Sequence, residues 1–167
     1  MTTLILTVAG ADRPGLVSAV ADVVDAHGGN WENSQLAELA GTFAGVIEVA
    51  VADDKADALR GALGALDGML AISVHTGDTH PPASARISIT VLGDDRPGIV
   101  REISGVLSAH ALSIEKMTTQ TRDAAMAGGR LFESAVTAGI PASADLDALR
   151  ADIERLTHDL QVDITTL

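Results

Sequence analysis

Residues 4–32 read LILTVAGADRPGLVSAVADVVDAHGGNWE, and residues 87–115 read ISITVLGDDRPGIVREISGVLSAHALSIE. The stretches lie 83 residues apart and agree at 12 of 29 positions. Among these are Asp12-Arg13-Pro14-Gly15, repeated as Asp95-Arg96-Pro97-Gly98. Agreement of this length marks a duplicated structural unit. Each copy opens with an alternating strand: Leu4, Leu6 and Val8 share one face, as do Ile87, Ile89 and Val91. A loop follows in which glycine permits φ > 0, while proline presets the first helical turn and lacks only a donor that turn would leave orphaned. A helix comes next, with Leu16, Val17, Val20, Val23, Val24 and His27 on one side, repeated as Ile99, Val100, Ile103, Val106, Leu107 and His110. Gly28-Gly29 is a stop signal for the first helix.

Beyond the repeated stretch, residues 31–39 and 46–51 read as strands, with a hairpin turn in 41–45 between them. Residues 53–67 read as a helix carrying Leu59, Leu63 and Leu66, stopped by Gly68, and Leu70, Ile72 and Val74 mark a last strand over 69–75. The second copy follows the same order. Strands are expected over about 112–121 and 130–137, with a loop at 122–129 and Gly139-Ile140-Pro141 ending the third strand. Ser143 or Asp145 can cap a helix whose buried stripe is Leu146, Leu149, Ile153 and Leu156. A final strand, 159–167, turns Leu160, Val162 and Ile164 inward. The pattern predicts an α+β chain of two tandem ferredoxin-like βαββαβ units, each a four-stranded antiparallel sheet with two helices on one face. The expected domains are 1–76 and 85–167, with 77–84 as linker. Ile5, Ala9, Ala37 and Leu92 fall on the opposite, outward face. Such sheets and their edges need cover, so the units are expected to pack on each other or on a second copy, and a homodimer is expected.

Apolar residues make up 47% of the 167, aromatics only 2%, so the cores should be small and aliphatic. No cysteine is present, which removes disulfides, thiolate metal sites and thiol nucleophiles. The apolar runs are too short to span a bilayer and no signal segment opens the chain, so cytoplasmic residence is expected. The net charge is −12. With no basic face and few aromatics for stacking bases, direct nucleic-acid binding is disfavoured. Catalytic signatures such as G-x-S-x-G and H-E-x-x-H are missing, so no enzyme is expected.

The strand, the Asp-Arg-Pro-Gly loop, the helix and the polar second strand resemble the ACT domain, a regulatory module that senses small molecules. The tandem pair, with little else attached, is similar to the glycine cleavage system transcriptional repressor group within that family. The resemblance implies a non-enzymatic regulator that binds a small amino acid, glycine or serine first, at an interface between domains and signals to a protein partner, without a cofactor or metal. A ligand-free adaptor is the competing reading. Carried over by motif, the ligand-binding positions in the first unit are Gly10, Ala11, Asp12, Arg13, Pro14, Gly15, Leu16 and Val17, with Asn30, Trp31, Glu32 and Asn33. In the second unit they are Gly93, Asp94, Asp95, Arg96, Pro97, Gly98, Ile99 and Val100, with Ser113, Ile114 and Glu115. The resemblance leaves open which unit binds, because Ala111-Leu112-Ser113-Ile114 replaces Gly28-Gly29-Asn30-Trp31.

The chemistry of a free amino acid suits these loops. Helix N-terminal amides and the positive dipole end would receive its carboxylate, and Asp12, Asp95, Asn30 and Glu32 are candidates for its ammonium. The bland alternative is a tight strand-to-helix connection whose arginines are solvated or paired with a carboxylate. Trp31 reads as core or interface packing ahead of a pocket wall. His27 and His110 read as helix C-terminal residues favoured by the dipole. His75, Asp78 and His80 near the linker lack the fixed geometry a metal requires. Gly61, Gly64 and Gly68 suggest close packing against a neighbour.

Overall fold

The repeated alternation folds into strands and the 3.6-residue periodicity into helices, in two compact units, residues 1–80 and 81–167. The computed structural model describes residues 1–78, 83, 85–125, 128–156 and 159–167. The first unit comprises β1 (Thr2–Ala11), α1 (Leu16–Ala26), β2 (Asn30–Leu39), β3 (Thr42–Val51), a 3-10 turn at Asp53–Lys55, α2 (Ala56–Gly64) and β4 (Ala71–Thr76). The second comprises β5 (Ala85–Asp94), α3 (Ile99–Ala109), β6 (Ser113–Asp123), β7 (Arg130–Ile140), α4 (Leu146–Leu156) and β8 (Leu160–Thr166). The strand orders are β2-β3-β1-β4 and β6-β7-β5-β8, antiparallel throughout. This is the ferredoxin-like α+β arrangement expected from the sequence.

Each core lies between the sheet and its two helices. In the first unit Leu4, Leu6 and Val8 of β1 meet Leu16, Val20 and Val24 of α1 and Leu59 and Leu63 of α2. In the second, Ile87, Ile89 and Val91 meet Ile99, Ile103 and Leu107 of α3 and Leu149 and Ile153 of α4. Leu59, Leu63, Ile87 and Ile89 are fully buried. Burying a side chain of that size contributes roughly 1.5–3 kcal/mol. Leu70 is buried and Ile72 and Val74 pack partly against the first core, as the alternation requires.

Several boundaries differ from the sequence reading. The first hairpin turns on Ala40-Gly41 alone, both with φ > 0 (50° and 81°), so residues 42–45 are strand. A two-residue loop of this hand matches the natural twist of a hairpin. Helix α2 ends at Gly64 rather than near Gly68. Beyond it the amides of Ala65, Leu66 and Asp67 donate three residues back, to Ala62, Leu63 and Gly64. Among the described residues of the first unit nothing packs closely on Gly61, Gly64 or Gly68, since a Cβ at any of them would meet nothing within 4 Å. In the second unit Arg122 and Asp123 belong to β6, and Gly139 and Ile140 belong to β7, where they pair with Arg86 and Ala85. Val17 and Val100 are each 44% exposed, outside the buried stripe. Leu146 also stays partly exposed, at 39%. Asp145 caps α4, its Oδ1 accepting the amides of Asp147 (3.1 Å) and Ala148 (3.0 Å).

Of the expected linker, Gly77, Asp78 and Ala83 are described. Gly77 N–H still donates to the Thr3 carbonyl at 2.8 Å. His80, one of the histidines considered for metal, lies outside the described residues. Among those described, no group of three His, Cys, Asp or Glu side chains is placed to hold an ion.

Candidate functional site

Each Asp-Arg-Pro-Gly loop leaves the end of a central strand and enters a helix through a left-handed glycine. Gly15 has φ 91° and Gly98 φ 93°, and each is the N-cap of its eleven-residue helix. This conformation costs a side-chain-bearing residue about 1–2 kcal/mol, which explains glycine at both positions. The space above both is open. A Cβ on Gly15 would meet only Ser18 Oγ, at 3.9 Å, and one on Gly98 only the ends of Glu102 and Arg101. No side chain caps either helix N-terminus, and the first helical bonds run from Ala19 N–H to Gly15 and from Glu102 N–H to Gly98. The first-turn amides therefore lack intrahelical and side-chain acceptors and carry the positive end of the helix dipole.

The expected positions divide by what they expose. Gly10 and Ala11 end β1; Asp12, Arg13 and Pro14 are exposed; Leu16 turns its side chain into the core and offers only its amide. In the second unit Asp94 ends β5, Asp95 and Pro97 are exposed, Arg96 is half-buried and Ile99 is a core residue like Leu16. The hairpin tips brace both loops: Asp12 N–H donates to the Gly41 carbonyl (2.9 Å) and Asp95 N–H to the Arg130 carbonyl (2.8 Å).

The two loops differ at the arginine. Arg96 makes a two-pronged ion pair with Glu102, Nη1 to Oε1 at 3.0 Å and Nη2 to Oε2 at 2.8 Å. Hydrogen bonding from Arg96 holds the Glu102 carboxyl below the usual glutamate range. In the first unit the position matching Glu102 is Ala19. Among the described residues neither Arg13 nor the Asp12 carboxylate has an ion pair or side-chain hydrogen bond. Sequence alone did not single out Glu102; its signal was the mismatch with Ala19 inside an otherwise matching helix.

The second group of expected residues lies at the far end of the sheet. Trp31 is opposite Val49, which is opposite Leu4, while the loop follows Ala11. Seven residues of strand separate them, about 23 Å at 3.3 Å per residue. A unit therefore does not bring its own loop and its own β2 start together. Trp31 packs against the core. Asn30 Nδ2 donates to Glu32 Oε1, and Asn33 is exposed. Ser113 and Ile114 are exposed, and Glu115 pairs with Arg86 at 2.6 Å. Glu32 and Glu115, the last residues of the repeated stretch, occupy the same β-bulge in their respective strands. His27 ends α1 and donates from Nδ1 to the Val23 carbonyl at 2.8 Å; His110 ends α3 with Nε2 2.7 Å from Asp152 Oδ2.

One cavity of about 500 Å³ lies on the helix-free face of the second sheet, lined by Thr90, Leu92, Gln120, Glu133, Gln161 and Asp163 among others. None of the expected binding residues lines it. Glu133 there is held by Arg122 (2.6 Å) and Gln120 (2.6 Å), which keep its carboxyl below the usual range.

Comparison with known proteins matches this geometry to one family. Two ACT domain models match, one over residues 2–77 and the other over residues 87–154. The chain is 27% identical over 161 residues to the glycine cleavage system transcriptional repressor of Escherichia coli (strain K12), covering 94% of this chain and 85% of that protein. A crystal structure of an unknown protein from Galdieria sulphuraria superposes with a TM-score of 0.89 at 24% identity, over 99% of this chain and 98% of its own. Another, assigned provisionally to the glycine cleavage repressor group, gives 0.70 at 18% identity over 99% and 97%. With an ACT domain matched in each half, over most of its length, the chain belongs to the ACT-domain family.

Proposed function

We propose that this chain is a non-enzymatic regulator that binds a small amino acid, glycine or serine first, and passes that state to a protein partner in the transcriptional control of amino-acid metabolism. The observation that carries the reading is the pair of ACT domains, similar along 94% of the chain to a transcriptional repressor. The loop geometry supports the ligand class. Uncapped first-turn amides beside Gly15 suit a carboxylate, and the unpaired Asp12 carboxylate suits the ammonium one carbon away. The scarcity of aromatics argues against a large flat ligand. Since loop and β2 start lie at opposite ends of one sheet, a site using both is completed by another ACT unit.

The first unit is the better receptor on this reading. Its Arg13 and Asp12 are unengaged, whereas Glu102 already occupies Arg96. That same ion pair, together with the Asn30–Glu32 contact, favours the second reading, an adaptor whose loops serve only the fold.

A thermal-shift screen of the twenty amino acids separates the two. A ligand present at a hundred times its Kd and bound only by the folded state adds about 2.7 kcal/mol, several degrees in Tm for a protein of this size. Glycine or serine should raise Tm, and the rise should be lost in Asp12→Ala and kept in Asp95→Ala. If no amino acid moves Tm and calorimetry is also silent, the sensor reading falls and the adaptor stands.

A further inference from the structure

The cavity of about 500 Å³ on the helix-free face of the second sheet has the size of a small-molecule site. Register fixes how it is built. One row across the four strands is Gln120, Glu133, Leu92 and Gln161. The next is Thr118, Ala135, Thr90 and Asp163. Ala135 lies in a central strand among larger neighbours, so its short side chain leaves the hollow. The repeat supplies a comparison. The first sheet carries these rows as Ala37, Ala44, Ala9 and Ala71, and as Gln35, Val46, Thr7 and Ser73. There Val46 takes the place of Ala135, and neither row holds a carboxylate.

Glu133 and Asp163 stand at opposite corners of the hollow. They are two strands and two residues apart, about 12 Å between Cα atoms at spacings of about 4.8 and 3.3 Å. Asp163 is exposed and has no ion pair or side-chain hydrogen bond among the described residues. Glu133 accepts from Arg122 on Oε1 and from Gln120 on Oε2, and Oε2 keeps a second lone pair. Arg122 belongs to the next row, on the side of Glu133 away from Ala135. The lining therefore contains two carboxylates, hydroxyls and amides, but no cation and no aromatic ring. A metal ion would find no third His, Cys, Asp or Glu ligand among the described residues.

We propose that this hollow binds a linear aliphatic polyamine, with one ammonium at Asp163, another at Glu133 and the methylenes over Leu92 and Ala135. Gln161 and Thr90 flank Asp163 as further acceptors. The net charge of −12 draws such cations to the chain. One exposed ion pair would hold a monoamine only weakly. Two ammoniums on one chain make the second contact intramolecular, which selects a polyamine over a monoamine. None of the Asp-Arg-Pro-Gly loop residues lines the hollow, so the proposal does not rest on the amino-acid reading.

The test is an amide-resolved NMR titration of the full labelled chain with spermidine, and with n-butylamine as the single-ammonium comparison. Spermidine should shift amides of residues 133–135 and 161–163 saturably, and bind roughly tenfold or more tighter than n-butylamine. Asp163→Asn should weaken it by roughly tenfold or more, and Ala135→Leu, which fills the hollow, should abolish it. Asp22→Asn, which removes an exposed carboxylate from α1, should change nothing. Far-UV circular dichroism checks that the variants are folded. Should Ala135→Leu fail that check, Asp163→Asn decides, because that side chain is exposed and unpaired. Absence of saturable shifts at these residues would overturn the proposal, as would equal affinity for n-butylamine or full binding by a folded variant of the hollow. Equal weakening by Asp22→Asn would mean diffuse attraction to an acidic surface, and would overturn it too.

Discussion

Replacing Ala111 with glycine should stabilise the second unit, and replacing Gly28 with alanine should destabilise the first. The two residues are equivalent under the repeat, and both follow a helix in left-handed geometry, Gly28 with φ 67° and Ala111 with φ 57°. The surrounding bonds match. Gly28 and Gly29 N–H donate to Asp25 (2.9 Å) and Val24 (2.9 Å), and Ala111 and Leu112 N–H donate to Ser108 (3.0 Å) and Leu107 (2.9 Å). This is the Schellman closure, in which the last carbonyls of a helix are satisfied only if the chain turns left-handed. Alanine adopts that geometry at a cost of about 1–2 kcal/mol. Glycine removes the cost but adds about 0.5–1 kcal/mol of unfolded-state freedom. The net gain for Ala111→Gly is about 0.5–1 kcal/mol, or about 2–8 °C in the unfolding midpoint of its unit. Gly28→Ala should lose a similar amount. Its new Cβ would meet Lys55 Nζ at 3.0 Å, a flexible end that can swing aside. Urea and thermal unfolding followed by circular dichroism give both numbers, with the urea slope unchanged. A lower midpoint for Ala111→Gly, or an unchanged one for Gly28→Ala, would refute the backbone argument.

Two further outcomes follow from the geometry. Gly61 sits inside α2 facing open space, so Gly61→Ala should raise stability by about 0.5–1 kcal/mol in the same unfolding assay; a loss would mean that something packs on that face. Glu102 and Glu133 have carboxyls depressed chiefly by hydrogen bonds from Arg96 and Arg122 respectively. A group depressed on folding contributes stability that is fully present above its unfolded value and is lost as pH falls through the folded one. Unfolding midpoints of the wild type should therefore drop below the ordinary glutamate range, and a Glu102→Gln, Glu133→Gln double variant should show a shallower acid fall.

Much of this was legible in the sequence because duplication supplies an internal control. A residue type held in both copies of the loop, such as Gly15 and Gly98, identified a backbone demand, and both adopt φ > 0. Alternation gave the core faces of β1 and β5, since a strand buried on one side cannot slip by one residue without exposing its core. What failed was punctuation. Gly45 reads as a turn residue but lies in β3, where a Cβ would collide with the Gln35 carbonyl; close approach, rather than a bend, selects glycine there. Gly139 was read as a stop for a similar reason, yet it pairs with Arg86 inside the sheet. The ion pair that distinguishes the second loop was hidden because Arg96 and Glu102 meet only after Gly98 turns the chain into the helix.

The most direct test of the amino-acid sensor is an amide-resolved NMR titration of the isotopically labelled chain with glycine and with serine. The backbone amides of residues 16–18, at the N-terminus of α1, should shift saturably with one of the two, while those of residues 99–101 stay in place because Glu102 holds Arg96. If neither loop responds at saturating concentrations, or if the responding amides lie away from both, the proposal that the Asp-Arg-Pro-Gly loop of the first unit receives an amino acid is contradicted.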